Sequence, residues 1–201
     1  NGERFISAAI KSIAQQTLGD FEFIIVDDGS TDSTPSIIQH FARIDRRIRT
    51  LRLCHSGISA ALEAGRAIAR APLLARMDCD DVAMPNRLAN QIAYLGRHPN
   101  VVAVGGQVQL IDEHEVPLKR GRFPIEPSAC RSYFEYGAPF CHPAVMMRKS
   151  ALEYIGGYRS QFEPAEDLDL WLRLSRIGDL ANLDEIVLHY RVHAATVTRR
   201  G

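Results

Sequence analysis

The side chains in this chain with the clearest capacity for chemistry are carboxylates, and they come in tight groups. Asp27-Asp28 follows the apolar run Ile24-Ile25-Val26, and Asp78-Cys79-Asp80-Asp81 follows Leu73 to Met77. Carboxylates packed this closely repel one another, and their pKa values rise unless a cation or hydrogen-bond donors neutralise them. A hard divalent metal does this with oxygen ligands and can be shared with the phosphates of a substrate. A lone D-x-D is more simply a turn or a helix cap, with Asp80 or Asp81 closing onto the helix expected near Pro85. Two acid groups at the ends of two strands of one sheet favour a ligand site instead. Further on, residues 165–177, which include Glu166 and Asp167, read as a helix with Leu168, Trp171, Leu172 and Leu174 on one side. A carboxylate in the first turn of such a helix is stabilised as an anion, and helix termini project side chains into clefts.

Periodicity supplies the elements that must hold these groups. Residues 3–17 carry Phe5, Ile6, Ala9, Ile10, Ile13 and Ala14 on one helical face. Phe21 to Val26 is a continuous apolar run, as expected of a strand covered on both faces. Gly29 ends it, and Ser33-Thr34-Pro35 begins a helix that runs to about Ile44. Ile48 to Leu53 and Leu73 to Met77 read as further strands, 57–70 as an Ala-rich helix, and Met84-Pro85 as the start of a helix ending near Leu95. Strand-helix-strand units of this kind build a mainly parallel sheet flanked by helices, an α/β fold, with ligands beyond the carboxyl ends of the strands. The chain opens directly on a helix, so the first half (1–100) is expected to lack its first strand, in a protein that is longer upstream. In the second half (101–201), Val101 to Ile111 is a long strand bending at Gly105-Gly106. An excursion over 112–124 follows, then helices over 127–135, 150–155 and 165–177, and a last strand from Ile186 to Val192. No linker divides 1–201 into separate domains.

Composition narrows the class. The chain has 201 residues, with 24 basic and 24 acidic side chains and zero formal net charge, so no global positive field attracts a nucleic-acid backbone. Apolar stretches are broken by charge before the roughly 18 residues of a membrane span. The cysteines Cys54, Cys79, Cys130 and Cys141 form no C-x-x-C pair and are expected to be free thiols of a reducing compartment.

The run Val26-Asp27-Asp28-Gly29-Ser30-Thr31-Asp32-Ser33-Thr34, then Met77-Asp78-Cys79-Asp80-Asp81 with Pro85 and Arg87-Leu88, resembles the GT-A fold family 2 glycosyltransferases. Gly156-Gly157-Tyr158-Arg159, Ala165-Glu166-Asp167-Leu168-Asp169-Leu170-Trp171 and Tyr190-Arg191-Val192-His193 continue it in order over nearly the whole chain. The resemblance implies a nucleotide-diphospho-sugar transferase fold and transfer of a sugar, from a UDP-sugar by preference, to a glycan or lipid-linked acceptor with inversion. It points to Asp27 or Asp28 at the nucleotide base and Asp78 at the ribose or metal shell. It points to Asp80 on a divalent Mn2+ or Mg2+ bridging the diphosphate, and to His193 as a further metal ligand. Asp167 is implied as the catalytic base, with Glu166 its substrate-side neighbour. Arg191 suits the diphosphate through guanidinium geometry, and equally a salt bridge to the neighbouring acids. His142 lines the acceptor side or sits in a loop or core, Asp169 is structural and Trp171 belongs to the core.

Departures from the pattern also carry meaning. Asn1 alone remains of the family's extended Pro-x-Tyr-Asn-like segment. Two Asn-x-Gly motifs read here as His55-Ser56-Gly57 and Glu63-Ala64-Gly65. The Q-x-x-R-W motif of processive synthases is absent, which favours a single addition over polymerisation. The competing expectations are an inactive homologue that binds a nucleotide sugar or glycan, and a nucleotidyltransferase, although no Gly-rich phosphate loop is visible. The expected setting is cytoplasmic, with room for peripheral association at the inner face of the membrane, and with no nucleic-acid partner.

Overall fold

The computed structural model describes residues 1–193; the end of the expected 1–201 domain, residues 194–201, lies outside the described residues. The alternation read from periodicity is present. α1 (Ile6–Ala14) buries Ile6, Ala9, Ile10 and Ile13. β1 (Phe23–Asp28), α2 (Thr34–Ile44) and β2 (Ile48–Leu53) form a crossover unit, and Pro35 sits in the first turn of α2, where its missing N–H costs nothing. α3 (Ile58–Ile68) leads to β3 (Leu73–Ala75), and α4 (Arg87–Arg97) begins two residues after Pro85. β5 (Val101–Ile111) is buried along most of its length and forms the spine of the core.

The two longest ladders are parallel: β1 runs beside β2, and β5 runs beside β8 (Asp179–Arg191). Four short ladders are antiparallel. β3 and β5 pair β7 (Met146–Arg148), β8 pairs β4 (Val82–Ala83), and β5 pairs β6 (Pro117–Gly121), the strand of the excursion. The larger sheet therefore runs β3-β7-β5-β8-β4, and β3 and β4 of the first half pair strands of the second.

Several bounds differ from expectation. β3 stops at Ala75 because Arg76 turns into the core, and β8 starts seven residues before Ile186. Asn182 of β8 donates to the carbonyls of Pro124 and Pro139 at 2.7 and 3.0 Å, partners that local periodicity cannot show. At Gly105 a Cβ would fall 2.2 Å from Asn182 Oδ1, and at Gly106 one would fall 2.6 Å from Val187 Cγ1. Both glycines let β8 approach, and the β5–β8 register shifts between Gly106 and Gln107, the expected irregularity.

α5 (Pro127–Tyr133), α6 (Lys149–Ile155) and α7 (Glu166–Leu174) cover the second half, and Leu170, Trp171 and Leu174 are fully buried. Among the described residues β1 pairs only β2, and β3 pairs only β7. Between these two strands lies a cavity of about 1790 Å³, lined by Ile24, Val26, Leu74, Leu88, Ile92 and Met146 among others.

Candidate active site

The first acid pair builds a loop. β1 ends at Asp28, and Gly29 reverses the chain at φ +75°, where a Cβ would lie 2.8 Å from the backbone N of His55. Asp27 is buried; its Oδ1 accepts from the Ser30 N–H at 3.1 Å, and Arg52 Nε lies 3.5 Å from its Oδ2. Asp28 accepts from the backbone N–H groups of Ser56 and Gly57 at 2.7 and 3.0 Å. Backbone donors make these bonds, so the loop before α3 forms with His55 where the family pattern has Asn. At the other departure, Glu63 accepts from the Tyr158 N–H at 2.8 Å and pairs with Arg66, joining α3 to the second half.

The second acid group converges. Asp78, Asp80 and Asp81 each offer a carboxylate oxygen, all within 4.8 Å of one another. Arg76, buried, grips Asp78 with two contacts: Nη1 to Oδ2 at 2.8 Å and Nη2 to Oδ1 at 2.6 Å. Its exit from β3 is held by Arg87, whose Nη2 donates to the Arg76 carbonyl at 2.6 Å. Asp80 Oδ2 lies 2.9 Å from His193 Nε2.

Asp81 is the deepest of the three, 1% exposed. Its Oδ1 accepts from the Arg191 N–H at 2.9 Å, and its Oδ2 has no hydrogen-bond partner. Burial, and then the charge of Asp78, push its pKa well above the usual carboxylate range. An orphaned buried oxygen facing two further carboxylates is costly alone and is satisfied by a hard cation. The all-oxygen donor set suits Mg2+ or Mn2+, with the His193 imidazole beside it. The residues therefore fit a divalent metal.

Of the two contacts expected of Arg191, the salt bridge to a neighbouring acid is present. The arginine side chain is 1% exposed, and its guanidinium donates to the carbonyls of Asp80, Asp112 and Glu113 and pairs with Glu115. It braces the acidic loop from behind, because burial of a guanidinium demands that its donors be paired.

The third acid pair opens α7. Glu166 is buried, and Asp167 is half-buried with Oδ1 accepting from the Leu168 N–H at 2.7 Å. Asp169 pairs with Arg159 and Arg173, the structural role expected of it, and Trp171 is core. Burial raises the Glu166 carboxyl, with Asp167 and Glu163 adding to the rise and Arg76 opposing it. The Arg76 charge thus reaches the metal-side acids and α7 alike.

His142, buried beside α7, is held neutral: burial, and then the charge of Arg76, depress its pKa well below 6.5. The unfolded chain takes up this proton near pH 6.5 and the folded chain resists it, so the associated stability is present above pH 6.5 and lost as pH falls below it. Urea unfolding between pH 7.5 and 5 is expected to show a slope that approaches about 1.4 kcal/mol per pH unit from this residue. His142→Asn should lack that contribution; equal slopes in the two proteins would sink the assignment.

Residue pattern alone points to the two acid groups at the strand ends, and the Glu166-Asp167 pair follows from the family resemblance; neither assigns a role to Arg76 or Arg87. The available signal was Arg76 itself, a charge within an apolar strand run, which must be paired if buried.

A mixed sheet with acids gathered beyond the end of β3 and a second carboxylate pair on an adjacent helix defines a nucleotide-diphospho-sugar transferase fold of the GT-A type. The Glycosyl transferase family 2 profile matches residues 1–156, and the chain belongs to that family. The Escherichia coli O-antigen biosynthesis glycosyltransferase WbnJ is 31% identical over 195 residues, covering 95% of this chain and 76% of that protein. The Escherichia coli UDP-Gal:alpha-D-GlcNAc-diphosphoundecaprenol beta-1,3-galactosyltransferase is 29% identical, covering 98% and 72%. Two solved structures share the fold. Staphylococcus aureus TarS 1-349 in complex with UDP-GlcNAc has a TM-score of 0.80 at 16% identity, covering 100% of this chain and 58% of that one. The Pyrobaculum calidifontis mannosyltransferase PcManGT, in complex with GDP-Man and Mn2+, has a TM-score of 0.73 at 17% identity, covering 100% and 56%. This chain therefore spans just over half the length of either solved protein.

Proposed function

We propose that this chain catalyses one metal-assisted, inverting transfer of a sugar from a UDP-sugar to a glycan or lipid-linked acceptor. The observation that carries the proposal is the Asp78-Asp80-Asp81 group with its unpartnered buried oxygen, electrostatically linked through Arg76 to the carboxylates of α7. The galactosyltransferase relative, whose name specifies UDP-Gal and a diphosphoundecaprenol-linked sugar, supports the donor and acceptor classes. Mn2+ in the mannosyltransferase complex supports the metal.

In this proposal Asp80 and Asp81 hold the cation, with Asp78 and His193 beside it, and a bound cation supplies charge neutralisation for the departing diphosphate. Asp27 and Asp28 shape the loop that receives the nucleotide base. Asp167 accepts the proton of the acceptor hydroxyl as its oxygen attacks the anomeric carbon opposite the leaving group, so the configuration inverts. Glu166 shapes the acceptor side of the same turn. Arg191 positions Asp80 and Asp81 and has no role at the diphosphate.

The nucleotide and acceptor halves form one domain, a reading supported by the β3–β7 and β4–β8 pairings. The sheet takes one further strand in its nucleotide half; the unpaired facing edges of β1 and β3 across an apolar cavity support this. The proposed lipid-linked acceptor is met by peripheral contact at the cytoplasmic face of a membrane, a reading supported by the diphosphoundecaprenol-linked acceptor in the name of the galactosyltransferase relative.

A panel of nucleotide sugars tests the proposal. With Mn2+ present, a UDP-sugar should raise the melting temperature by several degrees, and without it the shift should vanish. That same sugar should then be transferred to a diphospholipid-linked acceptor. Pyrophosphate release from a nucleoside triphosphate, or binding without transfer to any acceptor, would replace the proposal with a nucleotidyltransferase or a binding module.

A further inference from the structure

Behind the first turn of α7 runs a buried polar chain that the transfer chemistry does not use. The His142 ring packs edge-on against Trp171, with ring centroids 5.6 Å apart, and its Nε2 lies 2.8 Å from the Tyr158 hydroxyl. Its Nδ1 faces Glu166 Oε1 at 4.0 Å, and the other oxygen of Glu166 is buried with no hydrogen-bond partner. Tyr158 is pinned in turn: it follows Gly156 and Gly157, both at positive φ, and its backbone N–H donates to Glu63 of α3.

A neutral imidazole carries one N–H. The tautomer in which Nε2 accepts from the phenol O–H places the proton on Nδ1, on the side of Glu166. We infer that His142 and Tyr158 are positioning residues, a buried relay that orients Glu166 and with it the α7 turn bearing Asp167. This rests on the reading of Asp167 as the base.

The distance supports the role. At 4.0 Å the Nδ1–Oε1 contact is too long for a hydrogen bond, and catalytic contacts commonly tighten only when substrate is bound. Plain packing does not require these groups, since apolar side chains of similar volume avoid the desolvation of a histidine, a phenol and a carboxylate. The polar chain also begins on α3 and ends on α7, so it ties the turn that carries the base to the helix that follows the nucleotide loop.

Steady-state kinetics with a donor sugar and acceptor, alongside Mn2+-dependent UDP binding, tests the relay. Tyr158→Phe keeps the ring and removes one O–H; kcat should fall about tenfold, with both KM values within about twofold of wild type. UDP affinity should be unchanged, and the melting temperature should fall only by the few degrees that loss of one buried hydrogen bond costs. His142→Ala should lose at least as much kcat, and His142→Asn, which restores a donor on the Nδ1 side, should recover part of it. Wild-type kcat in Tyr158→Phe and His142→Asn overturns the inference, as does a parallel fall of kcat, UDP affinity and melting temperature in Tyr158→Phe. If Asp167→Asn retains turnover while Tyr158→Phe loses it, the assignment of the base fails and the positioning of Glu166 stands.

Discussion

Asp167→Asn is expected to lower kcat/KM by about 10²- to 10⁴-fold, the span of a general base in the transition state. The carboxamide occupies the same space, and its oxygen can still accept from the Leu168 N–H, so the first turn of α7 should persist. What the variant lacks is a site for the proton leaving the acceptor hydroxyl. The proposed nucleotide site lies at the ends of β1 and β3, so Mn2+-dependent UDP affinity should match wild type. Single-turnover transfer and calorimetric titration of UDP, run on the same preparation, separate the two. Loss of binding together with rate would make Asp167 a structural residue, and an unchanged rate would move the base elsewhere.

Asp81→Asn is expected to act in opposite directions on two measurements. Oδ1 of Asp81 is satisfied by the Arg191 N–H, a bond an amide oxygen can also accept, whereas Oδ2 is buried without a partner. Without metal, replacing this group removes the desolvation and repulsion that already push its pKa well up, so the melting temperature should hold or rise. With Mn2+, the variant lacks one anionic oxygen of the acid triad, and metal-dependent UDP affinity should drop about 100-fold or more, a loss of about 2.7 kcal/mol. Thermal melts with and without Mn2+, followed by UDP titrations, read both signs. A destabilised metal-free protein, or an unaltered Mn2+ response, would place the cation elsewhere. Asp78→Asn should have a smaller effect on the metal response, because Arg76 already pairs with Asp78 through a hydrogen bond and a second close ion-pair contact.

Local pattern and long-range packing contributed unequally. The helices α1, α2, α3 and α7 were legible because their apolar residues recur at helical spacing, β1 and β5 because their apolar runs end in Asp or polar residues, and β2 because apolar Ile48, Leu51 and Leu53 interleave with polar residues over a short span. β4 and β7 were not legible: strands of two and three residues exist only because β8, β3 and β5 offer edges many residues away. The start of β8 was missed for the same reason, since Asp179 to Glu185 alternates poorly and is held by β5 and by carbonyls of the loops before and after α5.

The acid groups themselves belong to the sequence. Strings of adjacent aspartates at strand ends create a repulsion that needs a neutralising partner whatever the surroundings, so their chemistry can be argued from residue types alone. The partner each carboxylate has, by contrast, is a matter of tertiary structure. Folding gave Asp78 to Arg76, Asp28 to a backbone loop and Asp169 to two arginines, and it left an oxygen of Asp81 and an oxygen of Glu166 without donors. Folding also turned Arg191 inward and set His142 against Tyr158. Hydrogen bonds and desolvation act over a few ångströms in space, and spacing along the chain carries no record of which distant groups come within that range.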